Sequence, residues 1–176
     1  MRLILLAERL VDLVGRTLKY LAAALLLAVS LLISADVLGR AVFSHPIDGV
    51  AEIVANGIVV IAFLQVTYAV TSGAMLRSEL LLTRLGPVGL RIAETVSALL
   101  GALLFYLIAR ASWSPMIRAI ETKEFAGYSG FQMPVWPVRV VIETGSILAI
   151  AAYLLIALRT ALIGVRPRPV DAAPAL

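Results

Sequence analysis

Apolar positions in this chain come in long blocks instead of a residue-by-residue alternation. Four stretches carry no Asp, Glu, Lys or Arg: Tyr20–Ala35, Ile53–Leu76, Thr95–Ala109 and Thr144–Leu158. A helix needs about 20 mainly apolar residues to cross a hydrocarbon core of about 30 Å. The second stretch meets that length as it stands. The others do not, because 15 residues at 1.5 Å each reach only about 22 Å. Those helices must run on past their flanking charges. The pattern predicts spans at residues 20–42, 50–73, 91–113 and 135–160. The expected fold class is an all-α integral membrane protein, with residues 1–163 forming one four-helix membrane domain.

Two shorter patterns add interfacial elements. At 100° per residue, Arg2, Glu8, Arg9, Asp12, Arg16 and Lys19 fall within a sector of about 120°. Leu3, Leu6, Leu10, Leu13, Val14 and Leu18 fall opposite. This predicts an N-terminal amphipathic helix lying in the cytoplasmic interface. Glu8 and Asp12 among the bases are unlike the start of a signal peptide, so this segment is expected to be retained. Between spans 2 and 3, Leu80, Leu81, Leu82 and Leu85 lie beside Arg77, Glu79 and Arg84. They predict a short interfacial helix in the cytoplasmic loop, stopped at Gly86-Pro87. The third loop, about Ser114–Met133, is the longest, with Pro115 starting a short helical stretch that Gly127 to Gly130 breaks. Residues 164–176 are rich in Pro and Ala and are expected to be a disordered cytoplasmic tail.

Composition and charge narrow the possibilities. The chain has 176 residues, 61% of them hydrophobic and 15% charged, against about 45–50% and about 25% in soluble domains. The blocks are too few for a large transporter, and no sizeable soluble domain remains outside them. Of the 15 Lys and Arg residues, ten fall on the side that holds both termini and five on the other. That asymmetry predicts both termini in the cytoplasm, and it makes the net charge of +4 a topology signal. The bases are scattered, so no nucleic-acid partner is expected. Cys is absent and His45 is the one histidine, which excludes disulfides, thiolate chemistry and bis-His haem within this chain. No catalytic or nucleotide-binding motif is present, so neither an enzyme nor a cofactor site is expected.

The chemistry worth weighing lies in charges at depth. Asp36, Arg40, Glu52, Arg110, Arg139 and Glu143 all map to the outer third of the expected bundle. Asp36/Arg40 and Arg139/Glu143 have the i, i+4 spacing that allows pairing on one helix face. Charged groups in hydrocarbon face the bundle interior, water or each other. Three readings stand for this set: structural ion pairing, contact with a partner subunit, and a proton or cation path through Glu143. Trp113 and Trp136 suit an interfacial aromatic belt at the outer ends of the last two spans. Tyr128, Phe131 and Gln132 lie in an apolar, aromatic stretch of the third loop. That stretch suits a docking loop, or a loop sunk into the outer headgroups. Ser97/Gly101, Ala98/Ala102 and Gly145/Ala149 have the small-xxx-small spacing that permits close helix approach.

The stretch Asp36-Val-Leu-Gly-Arg-Ala-Val-Phe-Ser-His-Pro-Ile-Asp-Gly-Val-Ala-Glu52 resembles the small membrane subunit (DctQ-like) of tripartite ATP-independent periplasmic, or TRAP, transporters. Arg40, Phe43, Pro46, Gly49 and Glu52 match that family's pattern between its first two helices. Gly73, Arg77-Ser-Glu79 and Arg84-Leu-Gly-Pro87 follow in the family's order, as does Met133-Pro-Val-Trp136. The resemblance covers about Leu18–Ile163. One position departs from it: where the family often has Pro two residues before a Gly in the last helix, this chain reads Glu143-Thr-Gly145.

The resemblance implies a non-enzymatic scaffold in a bacterial-type cytoplasmic (inner) membrane. It implies two protein partners besides membrane lipids. One is a large polytopic subunit that carries substrate through with a sodium gradient. The other is a periplasmic substrate-binding protein. Two alternatives are the small four-helix subunit of a tripartite tricarboxylate transporter and a self-sufficient multidrug-type carrier using Glu143.

Overall fold

The computed structural model describes residues 2–72, 86–128, 131–162 and 164. They form α1 (Arg2–Phe43), α2 (Val50–Thr71), α3 (Pro87–Glu121), β1 (Phe125–Tyr128), β2 (Phe131–Pro134) and α4 (Trp136–Leu162). Each of the four helices is long and apolar enough to cross a membrane. The protein is therefore an all-α membrane protein with a small hairpin on one end. The expected short helix near residues 75–87 and the tail beyond Gly164 lie outside the described residues.

Helix lengths depart from the sequence expectation. α1 has 42 residues and is about 63 Å long at 1.5 Å per residue, roughly twice a hydrocarbon core. The amphipathic N-terminal segment is thus not a separate element; it is the first part of α1. No Gly-Pro break or capping signal separates it from the apolar stretch that follows, so the helix propagates through. α3 has 35 residues and contains Pro115. Pro115 does not start a helix as expected. It sits inside α3, removing one backbone donor there, and the helix continues past it to Glu121.

The helices form two pairs joined at the centre, and α1 also touches α4, where Arg159 meets Glu8. α1 packs along α2, α3 packs along α4, and α2 and α4 join the two pairs. Small residues set the contacts. A Cβ on Gly15 would lie 3.3 Å from Tyr68 Cα, and one on Gly145 would lie 2.8 Å from the Phe63 carbonyl oxygen. Gly101 faces the Tyr153 ring, which stacks on Phe105 with centroids 6.0 Å apart. The buried apolar residues are dominated by alanine, with Ala22, Ala119 and Ala149 fully enclosed. Without water to drive helices together inside a bilayer, close packing of small residues supplies the attraction. No more than 33% of any span's apolar core is buried within the protein, so broad leucine-rich faces remain outward.

The contacts set the register of α1 against α2. Asp12 lies beside Thr71, with 3.5 Å between Oδ1 and Oγ1. Gly15 lies beside Thr67 and Tyr68, and Gly57 beside Val29. α1 therefore runs alongside α2 from about Asp12, and its last turns, with Asp36 and Arg40, rise past the start of α2. The third loop also holds an element the sequence did not suggest. β1 and β2 pair antiparallel from Phe125↔Pro134 to Tyr128↔Phe131, and Val135 N–H closes the base on the Glu124 carbonyl at 3.0 Å. Phe and Tyr favour strands, and Gly127 takes φ 125°, a conformation open to glycine alone at no cost.

Candidate functional site

The end of the bundle that carries the hairpin gathers most of the charges singled out from the sequence. Asp36 is buried and Arg40 is exposed, with side chains 7% and 62% accessible, and Arg40 Nη2 donates to Asp36 Oδ2 at 2.6 Å. The same carboxylate accepts the Ile47 N–H at 2.8 Å through Oδ1. α1 ends in a left-handed cap. Ser44 has φ 53° and its N–H bonds to the Arg40 carbonyl at 3.1 Å, which turns the chain back toward α2. Asp36 therefore fastens the turn with one oxygen and holds Arg40 at the rim with the other. The i, i+4 pairing expected at this position is present.

The second expected pair is not. Arg139 Nη2 bonds to Glu124 at the base of the hairpin, 3.2 Å from Oε2, and leaves Glu143 alone on α4. Spacing along one helix allowed Arg139–Glu143, but the hairpin brings Glu124 within reach from another element. Glu143 is 5% exposed, and its Oε2 is buried without a hydrogen-bond partner among the described residues. Glu52 lies in the first turn of α2, where the helix dipole favours an acid. Arg110 is exposed on α3. Of the six charges, Asp36 and Arg40 pair with each other, Arg139 pairs with Glu124, which is not one of the six, and Glu52, Arg110 and Glu143 stand outside these two pairs.

The hairpin is fastened over the α1–α2 turn. The Phe131 ring occupies the space a Cβ on Gly49 would need. Asn56 Nδ2 donates to the Glu52 carbonyl at 2.8 Å and lies 4.0 Å from Met133 Sδ. Gln132 points outward, and Phe125, Trp113 and Trp136 are exposed around the same end. Tyr128 contributes backbone to β1.

Sequence reasoning missed a second polar cluster at the opposite end of the bundle. Arg159 Nε lies 3.5 Å from Glu8 Oε1, with side chains 19% and 11% accessible. Asp12 pairs with Arg16 at 2.8 Å. Lys19 Nζ stands 4.2 Å from the centre of the Tyr68 ring. Arg91 donates to the Thr160 carbonyl at 2.8 Å and to the Ala161 carbonyl, satisfying acceptors that the end of α4 leaves open. The signal was visible as the polar sector of residues 2–19. Part of that sector turns toward α2 and α4, while Leu6, Leu10 and Leu13 face out. Amphipathicity alone cannot tell which face meets protein when the outside is lipid.

This geometry defines a class: a multi-helix membrane subunit whose polar groups hold its two ends together and whose apolar flanks are left outward. Comparison with family profiles makes it particular. Residues 29–162 match the DctQ component of tripartite ATP-independent periplasmic transporters. The chain belongs to that family, a family of transport components and not of enzymes. Searches among curated proteins and among solved structures found no match. A tripartite system has two other parts, and the family implies a large membrane subunit and a periplasmic binding protein as partners.

Proposed function

We propose that this chain is the scaffolding subunit of a secondary-active, binding-protein-dependent transporter in the inner membrane, with both termini in the cytoplasm. It holds and orients the large transport subunit, which moves substrate on a sodium gradient. The observation that carries this reading is how little of each apolar span the protein buries by itself, no more than 33%. The paired helices leave long apolar flanks for a larger membrane protein to cover. The polar groups fasten the helices to one another at their two ends.

A second role concerns the outer rim. Arg40 is exposed and held in place by Asp36, and Glu52 stands nearby at the start of α2. The hairpin with Phe131 and Gln132 covers the same end. These groups make a pre-positioned docking surface for the periplasmic binding protein. Rim charges act mainly on association rate and salt dependence. Arg40→Glu is therefore expected to slow capture of the loaded binding protein and to lower uptake, with the yield of membrane complex unchanged.

The experiment is purification of the tagged chain in mild detergent with uptake measured in parallel. Co-purification of a large polytopic subunit supports the scaffold. A stable homodimer alone would overturn it. Unchanged uptake in both Arg40→Glu and Glu52→Arg would remove the docking role.

A further inference from the structure

We propose that Glu143 is an intramembrane proton-binding site: a carboxyl held as the neutral acid inside the bundle. Its place follows from helix geometry. Glu143 lies about two turns past Trp136, roughly 10 Å at 1.5 Å per residue. Trp136 is exposed at the outer end of α4, where indole side chains anchor to the membrane interface. Glu143 is therefore well inside the hydrocarbon zone. In a protein whose outer surface is lipid, exposure measures access to the surroundings of any kind. At 5% exposure the carboxyl is enclosed by protein, and Oε2 meets no donor among the described residues.

No charged group around it is paired with it among the described residues. On its own helix, Arg139 lies one turn outward; its Nη2 is bound to Glu124 of the hairpin base, and its Nε is buried without a hydrogen-bond partner among the described residues. The Ser146 hydroxyl, one turn inward, donates to the Ile142 carbonyl at 2.7 Å. On α2 the one charged residue is Glu52, in the first turn. Gly145 packs at Phe63, so Glu143 is near mid-helix on α2, well inward of Glu52. On α3, Arg110 stands at a similar depth, because Gly101 meets Tyr153 and the helices run antiparallel. Arg110 is exposed. Arg118 and Glu121 lie farther out on α3, and Arg91 and Glu94 at its opposite end. α1 has no charged residue between Lys19 and Asp36.

An ionised carboxylate enclosed without a cation or donor is far more costly than a neutral acid at the same place. A neutral acid keeps its proton as a donor and removes the unpaired charge. The site's ligand is therefore the proton. This inference is independent of the scaffold reading.

Two measurements on the full-length protein in lipid nanodiscs test it. Infrared spectra at neutral pH should contain a deuterium-sensitive carboxylic-acid carbonyl band that disappears in Glu143→Gln. The unsubstituted protein should also form an adduct at Glu143 with a hydrophobic carbodiimide, which reacts with protonated carboxyls in apolar surroundings. The adduct is located by peptide mass spectrometry and needs no variant. An acid band unchanged in Glu143→Gln would overturn the proposal, as would absence of the adduct. A carboxylate signal at Glu143 that responds to sodium would overturn it in favour of a cation.

Discussion

Gly49 shows how a single position ties two distant segments. Its φ is 81°, and the Phe131 ring lies 2.3 Å from where a Cβ would stand. The left-handed backbone costs a residue with a Cβ about 1–2 kcal/mol, and overpacking adds about 1–3 kcal/mol. Gly49→Ala should therefore destabilise the protein by about 2–5 kcal/mol in denaturant unfolding from detergent. Combining it with Phe131→Ala should remove the clash and leave the backbone cost, so the two effects should not add. Additive effects would mean that the ring and the turn are uncoupled. The family-like spacing from Arg40 to Glu52 marked Gly49 in the sequence, but nothing in that spacing pointed to Phe131. Arg139 teaches the same lesson: spacing permits Glu143, and the hairpin supplies Glu124.

At the scale of elements, the main departure from sequence expectation is α1. Its apolar stretch and its amphipathic stretch were each legible, but their union into one helix was not. The two patterns have different environments in a sequence reading and the same hydrogen-bond ladder in the folded chain. The register against α2 is testable because the chain has no cysteine of its own. Asp12 and Thr71 touch, so Asp12→Cys/Thr71→Cys should oxidise readily to a disulfide. Leu13 is 62% exposed, and Leu13→Cys/Thr71→Cys should stay reduced under the same conditions. Equal cross-linking of both pairs, or of neither, would mean that the first part of α1 does not pack on the end of α2. The hairpin is the other element hidden in the sequence. Its strands are only four residues long, below the length at which alternation becomes readable.

At the scale of the molecule, orientation rests on the distribution of Lys and Arg between the two ends. It predicts that Ser44→Cys and Thr122→Cys react with an impermeant maleimide added outside intact cells. Ser72→Cys should react only after the membrane is opened. The reverse pattern would invert the topology.

The sequence by itself determined that this is a membrane protein of four spans, because hydrocarbon accepts only long apolar helices with internally satisfied backbones. It also determined the small-residue faces that bring the helices close, and the family to which the chain belongs. Only the tertiary structure decided which charges meet, which face of α1 turns inward and where the hairpin sits. Those outcomes depend on groups distant in the chain reaching one another, and local periodicity carries no information about that.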